Sequence, residues 1–130
     1  MKFFHTAISV KNLVESRRFY EEVFGLKFRS EGERKELKSK FLNLEDEFQN
    51  VIELFEHESP QMLIEDLMDM QKVGIKHISF VVENIEEVMA RAQKLDSKVI
   101  WPIKEGITVK RIAFISDPNG IPIELVELKD

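Results

Sequence analysis

Residues 3–10, FFHTAISV, alternate between faces and are rich in Ile, Val and Thr, which predicts a strand. Leu13, Ser16, Tyr20 and Val23 then recur at helical spacing, and Gly25 stands where a helix would stop. Strand-like segments follow near 27–31, 38–44 and 50–56. The same order then starts again. A strand is expected over 77–82, then a helix with Ile85, Val88, Met89, Ala92 and Leu95 on one face. Further strands are expected near 98–101, 110–116 and 121–127, with the turn DPNG at 117–120 separating the last two.

The repetition extends to individual residues. His5 and His77 are 72 apart, and behind them Val10 matches Val82, Asn12 matches Asn84 and Glu15 matches Glu87. VIEL at 51–54 matches PIEL at 122–125, which puts Glu53 and Glu124 71 apart. Two independent matches at nearly one offset mark an internal repeat. The chain is read as one domain over 1–130, with module one at 1–56, a connector at 57–76 and module two at 77–130. A short helix is expected in the connector at MLIEDLMDM, 62–70, its methionines serving as packing.

Strand periodicity gives the repeated polar residues a common setting. His5, Ala7 and Ser9 share one face of their strand, and His77, Ser79 and Val81 share the matching one. The opposite faces carry Thr6, Ile8, Val10 and Ile78, Phe80, Val82, which are suited to cover a helix. Ile52 and Leu54, like Ile123 and Leu125, would also pack on a helix, turning Glu53 and Glu124 to the other face. A lone histidine at a strand start is more often an ordinary surface or core residue. Four polar residues at repeat-equivalent places tell differently. Two buried carboxylates repel and each needs a partner. Two imidazoles and two carboxylates around one divalent cation meet both needs, and such a set suits nickel, zinc, cobalt, manganese or ferrous iron. His57 has no repeat partner and is read as an ordinary polar residue.

Composition narrows the classes. A chain of 130 residues that is 43% hydrophobic and 33% charged can form one folded domain. Its formal net charge of −5 argues against nucleic acid as a partner, and the basic residues at 33–40 are interleaved with Glu. With no cysteine, thiolate chemistry and disulfides are excluded, so a metal site must use His, Asp and Glu. No apolar run approaches the roughly 20 residues of a membrane helix. The opening MKFFHTAISV is too soon interrupted by His5 to read as a signal peptide, so a cytoplasmic protein is expected.

The segments HTAISVKNLVESRRFYEEVFGLKF, NVIELFE, GIKHISFVVENIEEV and RIAFISDPNGIPIELVE together resemble the glyoxalase I / vicinal oxygen chelate superfamily (glyoxalase/bleomycin resistance/dioxygenase) over essentially the whole chain. The last is the most specific. The resemblance implies an α+β, glyoxalase-like fold in which two tandem βαβββ modules form a cupped mixed β-sheet. It implies His5, Glu53, His77 and Glu124 as metal ligands, with one divalent ion per site, nickel or zinc leading and cobalt, manganese or ferrous iron open. A homodimer with sites at or near the interface is implied as well, acting on a small-molecule substrate. The activity implied is that of a lactoylglutathione lyase-like lyase/isomerase, moving a proton through a metal-bound enediolate of a 2-oxoaldehyde–thiol hemithioacetal. Glu124 is the first choice for the base, with Glu53 able to act on the opposite stereoisomer.

The chain departs from that pattern at two places. Where glyoxalase I commonly carries Arg and Asn to hold glutathione, Ser9 and His57 stand here, which leaves the thiol open. Lys104, Lys110 and Arg111 read first as solvated strand residues and second as contacts for an anionic substrate. Phe41, Phe55, Trp101 and Phe114 line the cup or fill the core. Two other activities use parts of the same pattern. One is an acyl-CoA epimerase of the methylmalonyl-CoA type. The other is a non-catalytic, bleomycin-resistance-like small-molecule-binding protein.

Overall fold

The computed structural model describes residues 1–63 and 65–130. The chain divides into two compact units, Met1–Leu63 and Ile64–Asp130. In the first, β1 (His5–Ser9) leads to α1 (Leu13–Phe24), then β2 (Lys27–Arg34), a single 3-10 turn at Lys35–Leu37, β3 (Ser39–Glu45) and β4 (Val51–His57). In the second, β5 (Ile78–Val81) leads to α2 (Ile85–Gln93), then β6 (Val99–Glu105), β7 (Arg111–Ser116) and β8 (Pro122–Glu127). The sheets run β1-β4-β3-β2 and β5-β8-β7-β6, each with its first strand parallel to its last and the other pairs antiparallel. Each unit is therefore a βαβββ module of an α+β, glyoxalase-like fold.

The repeated Asn and Glu behind each histidine turn out to start the helices. Asn12 Oδ1 accepts the Glu15 N–H at 2.9 Å, and Asn84 Oδ1 accepts the Glu87 N–H at 3.0 Å. These caps satisfy donors that the first helical turn leaves open. A second acceptor reaches each helix from the far strand. Glu56 Oε1 on β4 takes the Leu13 N–H at 2.9 Å, and Glu127 Oε2 on β8 takes the Ile85 N–H at 2.9 Å. Both links tie the helix start to the end of the strand that bears the site glutamate.

The helix ends differ. Gly25, at φ 69°, closes α1 as expected, with its own N–H bonded to Glu21 O and that of Leu26 to Tyr20 O. No glycine follows α2. It stops at Gln93, and Asp96 takes the left-handed turn at φ 62°, so Leu95 lies beyond the helix. The helix-facing side of each sheet carries most of the core. Ile8, Val10, Phe19, Tyr20, Val23, Ile52 and Leu54 are buried in unit one, and Ile85, Val88, Ala92, Ile123 and Leu125 in unit two.

Two expectations needed correcting. β6 runs on to Glu105 through Pro102, because it is an edge strand and a missing N–H costs no ladder bond there. Its pairing with β7 slips on either side of Trp101. The short helix expected over 62–70 includes Ile64, which lies outside the described residues; the described part forms turns instead. Asp66 and Asp69 each accept a backbone N–H two residues on, from Met68 at 2.9 Å and Gln71 at 3.1 Å. Such local bonds compete with helix formation, and MLIEDLMDM places both aspartates where they can make them.

Candidate metal centre

β1 and β4 lie parallel with Ala7 opposite Glu53, and His5 lies two residues back along the same face. Its Nε2 stands 3.3 Å from Glu53 Oε1. In unit two, Ser79 lies opposite Glu124, and His77 just precedes β5. Its Nε2 stands 3.9 Å from Glu124 Oε1. Both pairs are only partly covered, with side-chain exposures of 29% and 16% in the first and 31% and 22% in the second. They are reachable from solvent yet shielded enough for polar contacts to count. Sequence parity placed these four residues on the faces away from the helices. In the structure Ile52, Leu54, Ile123 and Leu125, of opposite parity, are buried, while Glu53 and Glu124 are half-buried.

The surroundings of the two pairs are not the same. The His5 ring packs against Phe4, with centroids 4.8 Å apart, and its Nδ1 is buried without a partner. The His77 ring meets Phe114 edge-on at 5.1 Å, and Phe114 in turn meets Trp101 at 5.0 Å. Glu124 Oε1 also accepts the Ser79 hydroxyl at 2.8 Å. The structure thus brings the residues together as one His–Glu pair per unit. Among the described residues no group of three or more His, Asp or Glu gathers to hold an ion.

Each pair nevertheless suits a shared cation. Two donor atoms about 2.1 Å from one ion stand about 3.0 Å apart at a right angle and about 3.4 Å apart at the tetrahedral angle. The 3.3 Å of the first pair falls inside that range, and the 3.9 Å of the second is slightly open. Imidazole nitrogen with carboxylate oxygen is a donor set for a borderline divalent metal.

Other candidate residues resolve differently. Arg111 is a structural clamp: it donates to both Glu86 oxygens at 2.8 and 2.9 Å and also binds Glu127. Arg111, with help from the Ile85 N–H, holds the Glu127 carboxyl down to about 2, well below the usual carboxylate value, and Arg111 likewise lowers Glu86. Lys104 lies over the Trp101 ring, 3.8 Å from its centroid. Phe114 is core, Trp101 is partly exposed, and the Phe41 and Phe55 rings pack 5.9 Å apart. His57 Nδ1 accepts the Ser59 N–H at 2.9 Å, beside a cleft of about 380 Å³ lined by Glu33, Lys35, Lys38 and Lys40. Neither member of the His5–Glu53 pair lines that cleft.

The Glyoxalase/Bleomycin resistance protein/Dioxygenase superfamily model matches residues 2–125. The chain belongs to this superfamily. Among curated members it is 33% identical to lactoylglutathione lyase of Salmonella typhimurium, with 100% of this chain and 95% of that one aligned. It is 31% identical to the uncharacterized protein YaeR of Escherichia coli, over 95% of this chain and 93% of the other. Among solved structures, the trypanothione-dependent glyoxalase I of Leishmania major superposes with a TM-score of 0.77 at 28% identity, covering 98% of this chain and 86% of that one. Superfamily members commonly bind a divalent metal and act on small molecules. Among the described residues no helix is long and apolar enough to cross a membrane.

Proposed function

We propose that this superfamily member is a metal-dependent lyase/isomerase of the glyoxalase I type. Its two modules act as one domain, and its substrate is the hemithioacetal of a 2-oxoaldehyde and a thiol. One observation carries the reading: the repeat yields two His–Glu pairs with Nε2 to Oε1 separations of 3.3 and 3.9 Å. The relationship to lactoylglutathione lyases over the full chain supports it. His5, Glu53, His77 and Glu124 would hold the ion, nickel or zinc foremost, with cobalt, manganese or ferrous iron as substitutes. The reading includes a cytoplasmic homodimer whose sites, at or near the interface, draw on one pair from each module.

The bound ion would supply Lewis acidity that acidifies the carbon next to a carbonyl. The remaining chemistry belongs to the side chains. A glutamate, Glu124 in the first place and Glu53 for the opposite stereoisomer, takes the proton from the carbon that bears sulfur and hydroxyl. It returns that proton to the neighbouring carbon, formerly the carbonyl carbon, while the hydroxyl proton passes to the oxygen there. The product is a 2-hydroxy thioester, with no net change of redox state and no group lost. The small side chains Ala7 and Ser79, both exposed and level with the glutamates, leave room for a substrate.

Calorimetric titration of metal-free protein with nickel and zinc tests this, comparing wild type with His77→Ala. One equivalent per chain, weakened at least 100-fold in the variant, is expected, together with isomerase activity on the methylglyoxal hemithioacetal after loading. Binding undiminished in His77→Ala, or no binding by wild type, would remove the metal site and leave a small-molecule-binding protein as the better description.

A further inference from the structure

The two glutamates occupy equivalent places in the repeat, but their lateral neighbours are not equivalent. Glu53 has Ala7 on one side and Asn43 on the other. Ala7 offers no donor, and the Asn43 amide donates to Ser30 Oγ at 3.0 Å. Glu124 has Ser79 on one side and Phe114 on the other. Ser79 donates its hydroxyl proton to Glu124 Oε1 at 2.8 Å, and that oxygen is the one facing His77 Nε2. One hydroxyl, in one module only, therefore fixes the rotation of a candidate ligand.

We propose that Ser79 is a positioning residue for the second ligand pair, setting the rotation of the Glu124 carboxylate on the His77 side before any ion arrives. The inference rests on the metal-site reading above. The last torsion of a glutamate is broad and nearly unrestrained by its own chain. A charge-assisted hydroxyl bond narrows it, so less freedom is lost when the carboxylate coordinates. An opposing effect exists, because a donor on the carboxylate withdraws charge from it. Partners of metal ligands nonetheless usually raise affinity, by about 10–100-fold. Phe114 supports the same arrangement by meeting the His77 ring edge-on, which leaves that imidazole a defined plane. Module one lacks that hydroxyl, and its pair stands at 3.3 Å without one.

The test titrates metal-free full-length protein with nickel by calorimetry and records the visible spectrum of the cobalt-loaded form. Wild type is compared with Ser79→Ala, Ser79→Thr, Ala7→Ser and His77→Ala. Ser79→Ala is expected to weaken nickel binding about 10–100-fold at unchanged stoichiometry and to shift the cobalt bands. Ser79→Thr restores both, and Ala7→Ser, which offers Glu53 the same hydroxyl, tightens binding. Wild-type affinity and spectrum in Ser79→Ala would overturn the proposal while leaving the metal site intact. A weakening that Thr does not rescue, matched by a lower melting temperature of the metal-free protein, would make Ser79 a packing residue and overturn it too. If wild type and His77→Ala both fail to bind, the metal-site reading itself falls and the role of Ser79 with it.

Discussion

The two modules share a plan and differ in how tightly each detail is held. In unit two, Glu127 joins the α2 start, Arg111 and through it Glu86 into one network, whereas in unit one Glu56 reaches the α1 start without an arginine. The reason lies in the pairing register. Arg111 faces Glu127 across β7 and β8, and the matching position across β3 and β4 holds Lys40 opposite Glu56. A guanidinium can serve two carboxylates at once through its planar fork, and an ammonium cannot do so with the same geometry. The same bias appears at the candidate ligands, where Ser79 fixes Glu124 and nothing equivalent fixes Glu53. Duplication supplied two copies of one frame, and unit two has the more restrained one.

The largest test of that contrast is catalytic. Glu124→Gln, which keeps the shape and removes the proposed base, is expected to lower kcat about 1,000-fold, within the range for losing general base catalysis. Glu53→Gln should cost clearly less on the stereoisomer that Glu124 handles. Steady-state rates on the metal-loaded variants with the methylglyoxal hemithioacetal decide between them. Equal losses would mean that the carboxylates share the work despite their different surroundings.

The next effect concerns stability. Glu127→Gln loses the charge that Arg111 meets and should lower the melting temperature more than Glu56→Gln, whose single bond to a helix N–H is worth about 1 kcal/mol. The pH dependence separates them further. Glu127 falls from an ordinary 4.5 to about 2, with Arg111 the main cause, so its folded form binds a proton less readily than its unfolded form. Its contribution is complete above the unfolded value and is lost as acid takes the pH from about 4.5 down through about 2. Thermal melts across that window should show a steep loss in wild type and a shallower one in Glu127→Gln. Parallel curves would mean that the clamp adds nothing measurable.

Much of this was legible in the sequence because it is carried by residue types with narrow uses. His5, Glu53, His77 and Glu124 stood out as candidates through spacing and parity, and the histidines lie 3.3 and 3.9 Å from the glutamate of their own unit. The repeated Asn12 and Asn84 carried a signal whose meaning, capping, follows from the N-x-x-E spacing to Glu15 and Glu87. Glu56 and Glu127 carried one too, each three residues past a candidate ligand, in ELFE and ELVE. What could not be read was tertiary. The Arg111 clamp depends on register, the connector turns on which backbone groups Asp66 and Asp69 find, and the Ser79 bond on a strand pairing between residues 45 positions apart.

The smallest effect concerns a turn that the repeat conceals. Asp117 opens the DPNG turn by accepting the Asn119 and Ile121 N–H groups, both at 2.8 Å, and Gly120 supplies the left-handed φ of 82°. Asp46 does the same in unit one for Phe48 at 2.9 Å and Asn50 at 2.8 Å. There the left-handed place, at φ 65°, belongs to Gln49. Without a glycine, DEFQN does not look like DPNG, although the two turns share their bonds. A side chain in this region is strained by roughly 1 kcal/mol, partly offset by the greater freedom glycine has when unfolded. Gln49→Gly should therefore stabilise the protein by about 0.5 kcal/mol in a denaturant melt, while Gly120→Gln should destabilise it by a comparable or larger amount. A loss of stability in Gln49→Gly would mean that Gln49 makes up for its backbone strain through its side chain, and that the two turns differ in more than one residue.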